Sequence, residues 1–173
     1  MTQAFEIRPA LSIPQDQYVH KALNFDDLDG VTQWENELQD EVDASEAQSL
    51  AQRFKAVWWA RPRPISKLLA DYPAHAFVNP VCSDRMWSVM APFCQPQMVW
   101  LRLPMDHEVL MPEWGVVIFY STFSADETFS SIKMPHFFRT FDEEMETQRF
   151  FVSPALRAAL EKEDLVGLEF SPR

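Results

Sequence analysis

The hydrophobic positions of this chain change their period several times, and each change marks an element. Residues 3–8 alternate weakly and end at Pro9, which predicts an opening strand. The run WGVVIFYSTF at 114–123 is apolar on both alternating faces, as is typical of a central strand. MVWLRLP at 98–104 predicts another strand. Residues 126–153 predict shorter strands, interrupted at Pro135 and at an acidic turn, DEEME.

Two segments share one pattern, VCSDRMWSVM at 81–90 and FVSPALRAAL at 151–160. In each, a strand leads into a serine that we expect to cap a helix, Ser83 or Ser153, and a second strand follows. Only the serine is identical between them, although most aligned positions match in class. The pattern therefore predicts either a structural repeat or two common units of the same kind. In both cases the serines are interpreted as caps rather than as nucleophiles.

The middle of the chain is more polar. The stretch at 32–59 has apolar side chains at helical spacing from Trp34 to Phe54 and predicts one interrupted helix or two short ones. The proline-spaced run 60–73 predicts a connector after Trp58 and Trp59. Together these elements predict an α+β fold with a mixed or mostly antiparallel sheet and packed helices. We expect one domain over 1–173, with an acidic N-terminal region at 1–64 and the repeated units within 65–173.

Negative charge is concentrated in one stretch. The net charge is −11, and nine acids without any Lys or Arg lie between Asp26 and Glu46, so the remainder carries about −2. Such a face repels a phosphate backbone and favours a basic protein partner. An alternative is a solvated acidic surface that maintains solubility. The residues expected to bind a partner are Asp26, Asp27, Asp29, Trp34, Glu35, Glu37, Asp40, Glu41 and Asp43.

Residue types that carry chemistry are sparse. The three glycines are far apart, so the sequence contains no glycine-rich phosphate-binding loop and no nucleophile elbow. The four histidines have no paired spacing, and the two cysteines, Cys82 and Cys94, are interpreted as reduced and buried. No cofactor and no metal are expected. The best of the weak catalytic candidates is His107, which lies between Asp106 and Glu108. A small hydrolase that uses carboxylates and a histidine is therefore an alternative.

The order of several motifs adds a resemblance. VCSDRMWSVM, VWLRLP, HFFRTF, FFVSPALRAAL and GLEFSPR, spread over roughly 75–173, together resemble the bacterial immunity-protein family numbered eleven in polymorphic toxin classifications, formerly a domain of unknown function. The resemblance implies a protein that neutralises a cognate toxin by binding it, in competition between bacteria, and it brings no catalytic residues. A toxin chaperone or accessory domain is a further alternative. Because the N-terminus lacks a basic run followed by an apolar core, we expect a cytoplasmic protein.

Overall fold

Antiparallel strand pairing organises the chain. The computed structural model describes residues 3–11, 18–23, 58–63, 70–73, 79–94, 98–102, 113–119, 135–142 and 147–172. Within them the strands are β1 (Phe5–Pro9), β2 (Tyr18–Leu23), β3 (Trp58–Arg63), β4 (Val81–Ser83), β5 (Met98–Arg102), β6 (Trp114–Phe119), β7 (Phe137–Asp142), β8 (Thr147–Val152) and β9 (Leu168–Pro172). The helices are α1 (Asp84–Cys94) and α2 (Pro154–Leu160).

These strands form two sheets and a ribbon. The larger sheet has the order β7-β8-β1-β9, the smaller has the order β4-β6-β5, and β2 pairs with β3. Every one of these pairings is antiparallel. The predicted α+β class with a mostly antiparallel sheet is confirmed. The opening strand is also confirmed, and it pairs with β9 at the opposite end of the chain.

Both sheets and both helices contribute to one core. The helices present residues spaced four apart, Met86 and Met90 on α1 and Leu156 and Leu160 on α2, which is the spacing that puts side chains on one helical face. These side chains join strand residues in a single buried cluster, and α1 also packs against α2. The strand members of the cluster are Phe5, Ile7, Cys82, Met98, Val117, Phe137 and Val152.

The two serines begin the two helices, as predicted. The backbone N–H of Met86 donates to Ser83 Oγ at 3.0 Å, and that of Leu156 donates to Ser153 Oγ at 3.2 Å. Asp84 lies in the first turn of α1, where a carboxylate is favoured by the helix dipole. Pro154 occupies the first position of α2, where its missing N–H leaves no hydrogen bond unmade.

The two strand–helix–strand units have the same topology. In β4–α1–β5 the two strands flank β6, and in β8–α2–β9 they flank β1, with the middle strand antiparallel to both neighbours. The registers also agree. Gly115 of β6 lies opposite both Cys82 and Arg102, and Phe5 of β1 lies opposite both Val152 and Pro172. Of the two alternatives left by the sequence, this correspondence favours a structural repeat.

One predicted boundary is wrong. The first four residues of the expected connector, 60–63, belong to β3, and Pro62 lies within the strand opposite Val19. A proline disrupts a central strand because it lacks an N–H, but it is tolerated at an edge. In the part of the chain that the structure describes, the ribbon has only two strands, so each keeps an outer edge at which a proline fits.

Candidate functional site

The residues predicted to bind a partner all lie between β2 and β3 in the sequence. We call residues 24–57 the acidic segment. The predicted contacts, Asp26, Asp27, Asp29, Trp34, Glu35, Glu37, Asp40, Glu41 and Asp43, all belong to it and lie outside the described residues. What the structure describes is the base of the segment, where Leu23 at the end of β2 pairs with Trp58 at the start of β3. The two residues that flank the acidic segment are therefore neighbours on paired strands.

The base of the acidic segment is held by a continuous ladder. Pairing between β2 and β3 runs without a gap from Leu23 opposite Trp58 to Tyr18 opposite Arg63. In sequence this ribbon contains Lys21, Arg61 and Arg63 and no acid, so the charge changes sign where the acidic segment begins. The ribbon thus separates the acids from the rest of the chain by a short basic stretch.

A buried polar cluster surrounds the cap of α1. Ser83 donates its hydroxyl proton to Asp71 Oδ1 at 2.6 Å, and both residues are at most 3% exposed. Asp71 Oδ2 accepts from the backbone N–H of Val166 at 2.8 Å and lies 3.6 Å from the guanidinium of Arg85. Arg85 also donates to the carbonyl oxygen of Asp164. The cluster therefore joins the start of α1 to the segment that follows α2.

The cap of α2 has a related arrangement with a different partner. His136 Nδ1 lies 2.8 Å from Ser153 Oγ, and the backbone N–H of Ser153 donates to the carbonyl oxygen of His136 at 2.9 Å. The imidazole meets the ring of Phe93, near the end of α1, edge-on at a centroid distance of 5.1 Å. The cap of α2 therefore contacts the end of α1, as the cap of α1 contacts the segment after α2.

A serine hydroxyl within 2.8 Å of an imidazole also has the spacing of a nucleophile and its general base. Two observations favour a capping role. Ser153 is only 5% exposed, and its hydroxyl already accepts from the backbone of Leu156. The same construction recurs at Ser83, where the partner is a carboxylate that ties two segments together. The interpretation of both serines as caps is therefore supported by their contacts.

The two cysteines are reduced and buried, as predicted. Burial raises the pKa of the Cys94 thiol to about 12, and it raises that of Cys82 further. A thiol in such surroundings remains protonated near neutral pH, whereas a reactive cysteine needs the thiolate. Burial likewise raises the pKa of the Tyr72 phenol. These three groups serve as core residues.

Other sequence candidates fall outside the described residues. His107 and its two acidic neighbours, on which the hydrolase alternative depends, are among them, as is most of the acidic turn after Asp142. Among the residues that are described, no group of three or more His, Cys, Asp or Glu is placed to hold a metal ion. In the same residues no helix is long and apolar enough to cross a membrane.

Asp71 and His136 are the polar partners that sequence reasoning missed. Each precedes its capping serine by more than ten residues, so no local pattern links them. A faint signal exists in hindsight. Each lies just before an aromatic residue, Tyr72 or Phe137, that is buried in the common core. This signal alone does not single out His136, because Thr140–Phe141 and Arg149–Phe150 are polar–aromatic pairs closer to Ser153.

Comparison with known proteins does not assign the chain to a family or a function. Neither the models of known protein families nor the curated proteins include a match to this chain.

Proposed function

We propose that the protein is an immunity protein of a polymorphic toxin system, which acts in the cytoplasm by binding a cognate antibacterial toxin and occluding its functional surface. The proposal assigns the partner contact to the acidic segment, with Trp34 as an aromatic anchor among the acids. It involves no catalytic step and no cofactor. The observation that carries it is the confinement of nine acids to one segment of the sequence, whose flanking residues Leu23 and Trp58 pair with each other.

Electrostatics supports this use of the segment. Charges of one sign on a restricted surface attract an oppositely charged partner over several ångströms and raise the association rate by roughly 10-fold to 1,000-fold at low salt. The same field repels acidic partners and nucleic acid. The acidic segment carries a net charge of −7 and the rest of the chain −4, so negative charge is most concentrated in the segment, which a basic toxin is expected to approach first.

The resemblance supports the scaffold that holds the segment. Each motif that resembles immunity-protein family eleven coincides with an element of the two sheets: β4 with α1, then β5, β7, β8 with α2, and β9. The family-like residues therefore build the core rather than the acidic segment. In this proposal the scaffold is the common part, and the acidic segment determines which toxin is bound.

The first test is capture with a tagged protein from a lysate of the source bacterium, washed at low and at high salt. We expect one protein in near-equal amount, with a basic terminal domain, that is released as the salt concentration rises. The purified partner should be toxic when produced alone in a susceptible strain and harmless when produced together with this chain. Absence of any stoichiometric partner, under conditions where the toxin is expressed, would refute the proposal.

A charge-matched pair of variants then tests the segment. Asp40→Asn, Glu41→Gln and Asp43→Asn together remove three negative charges from it. We expect association with the toxin to slow by about tenfold at low salt and to lose part of its salt dependence. The control is Glu163→Gln, Asp164→Asn and Glu169→Gln, which removes three exposed acids from the other end of the chain. Equal association rates for the two triple variants would eliminate the acidic segment as the contact surface.

An immunity protein and a chaperone can be distinguished by the cell in which each is needed. An immunity protein protects a cell that receives the toxin from a neighbour, whereas a chaperone is needed in the cell that exports it. We expect recipient cells producing this chain to survive delivery, and we expect export to be unchanged when the chain is deleted from a donor that carries another source of protection. Loss of export in that donor would favour the chaperone.

A further inference from the structure

The two strand–helix–strand units have the same spacing, although α2 (Pro154–Leu160) ends four residues earlier than α1 (Asp84–Cys94) does in the matched numbering. From β4 to the end of β5, each position matches the one 70 residues later between β8 and the end of β9, without a gap. Two unrelated capped helices would share their caps but not the registers of the strands on both sides. The matched core pairs are Cys82 and Val152, Met86 and Leu156, Met90 and Leu160, Met98 and Leu168, and Trp100 and Phe170.

The middle strands of the two units also correspond, but each comes from the other half of the chain. Gly115 and Val117 of β6 match Phe5 and Ile7 of β1. β6 comes from the second half of the chain and completes the sheet of the first unit. β1 comes from the first half and completes the sheet of the second. Each half therefore gives its first strand to the other.

The contacts around the caps follow the same rule. The carbonyl oxygen of Asp71 accepts from the N–H of Ser83 at 2.8 Å, and that of His136 accepts from Ser153 at 2.9 Å. In each case the side chain of the accepting residue also bonds the serine hydroxyl. Asp71 and His136 are thus equivalent positions, although one is an acid and the other an imidazole.

We propose that the chain is two fused copies of one structural unit that have exchanged their first strands, and that the acidic segment is an insertion in the first copy. Each copy consists of a first strand, a connection, a strand, a capped helix and a last strand. Two separate copies would form the same arrangement as a strand-exchanged dimer. From Phe5 to Ser83 the first copy spans 78 positions, whereas from Gly115 to Ser153 the second spans 38. Residues 24–57 account for most of this difference.

One aromatic pair offers a direct test of equivalence. In the second unit Phe5 and Phe170 lie on neighbouring strands, and the guanidinium of Arg157 is 4.2 Å from the ring centroid of Phe5 and 5.6 Å from that of Phe170. In the first unit the matching residues are Gly115 and Trp100. A Cβ on Gly115 would lie 2.5 Å from the indole nitrogen, so the indole occupies the space that a side chain there would need. The large ring and the glycine are complementary.

If the units are copies, the combination of a glycine with a tryptophan should also fit at the matching positions of the second unit, 5 and 170. We expect Phe170→Trp alone to lower the melting temperature, because the larger ring meets Phe5. In a Phe5→Gly background we expect the same Phe170→Trp change to raise it, because the indole fills the space that the lost ring leaves. The sign of the effect should reverse. Thermal unfolding is followed by circular dichroism for four full-length proteins: the original chain, Phe5→Gly, Phe170→Trp and the double variant. These four melting temperatures complete a double-mutant cycle.

The matched control places tryptophan elsewhere on the same strand. Leu168→Trp lies on the same face of β9 but opposite Pro9, and we expect it to lower the melting temperature in both backgrounds. Should Phe5→Gly not fold, Phe5→Ala provides the background and the same reversal is expected. If Phe170→Trp lowers stability equally in both backgrounds, or if Leu168→Trp rescues as well, the equivalence is wrong.

The insertion is tested by removing it. Replacing residues 24–57 with Asn-Gly joins Leu23 to Trp58 by a two-residue turn suited to a paired hairpin end. We expect a folded, cooperatively unfolding protein whose melting temperature is within a few degrees of the full chain. A protein that is unfolded by circular dichroism would show that the segment belongs to the fold, and would overturn this part of the proposal. Toxin binding is a separate readout, so a folded variant that still binds refutes the proposed function alone.

Discussion

Replacing Ser83 with alanine tests the structural account at the point where the two halves meet. The side chain makes two hydrogen bonds in a buried setting, one from the backbone of Met86 and one to Asp71. Ser153→Ala is its natural counterpart. It removes the same cap and a bond to His136, which is an imidazole rather than a carboxylate. Because the caps are alike, the difference in lost stability between the two variants reports the contribution of the second hydrogen bond, to Asp71 or to His136.

The expected magnitudes follow from these contacts. Loss of an N-cap hydroxyl costs about 1 kcal/mol of unfolding free energy. At Ser83 the buried carboxylate of Asp71 also loses a donor, and a hydrogen bond to a charged group contributes about 1.5–3 kcal/mol. At Ser153 the second bond contributes only about 1 kcal/mol. We therefore expect Ser83→Ala to lose roughly 2.5–4 kcal/mol and Ser153→Ala roughly 2 kcal/mol.

Urea unfolding followed by circular dichroism measures both losses, and the slope of free energy against urea shows whether the unfolded state has changed. Ser83→Thr keeps the hydroxyl and is the control for the cap. Asp71→Asn combined with Ser83→Ala completes a double-mutant cycle, and we expect a coupling of at least about 1 kcal/mol between these two residues. A loss at Ser83 no larger than that at Ser153 would refute the reasoning, because it would remove Asp71 from the energetics of the cap.

Other predictions concern the core and its glycine. Above pH 9 the unfolded chain ionises its thiols while the buried ones stay protonated, so stability falls as pH rises, by about 1.4 kcal/mol per pH unit for each thiol. Urea titrations from pH 8 to 11 should show a shallower fall in Cys94→Ala, and an unchanged slope would contradict this. Gly115→Ala should lower stability by about 1–3 kcal/mol through overlap with Trp100. Arg157→Met should cost about 1 kcal/mol, and Arg157→Lys less.

The sequence predicts the local elements well because their signals are local. The serine caps, the apolar run of β6 and the helical spacing of Met86 and Met90 all lie within a few residues of the structure that they determine. The error at Pro62 has a matching cause. Proline argues against a strand only if that strand is central, and whether a strand is central depends on partners distant in sequence.

Long-range order could not be read from one chain. The insertion of β1 between β8 and β9 depends on a cluster that combines Phe5 with Val152 and Phe170, and no local pattern predicts which strand fills a gap. The polar partners Asp71 and His136 are set by that same packing. The nine predicted contacts of the acidic segment lie outside the described residues, so that part of the candidate site stays a prediction.

The base of the acidic segment explains how a folded protein tolerates such a concentration of charge. Like charges repel one another, and nine acids distributed among the strands of a packed sheet would destabilise it. Closing a flexible segment between two strand ends that are already paired costs little, since each doubling of its length adds only about 0.6 kcal/mol. The nine acids lie in sequence between two such ends, Leu23 and Trp58. We therefore expect substitutions among these acids to leave the stability of the two sheets unchanged, whatever their effect on binding.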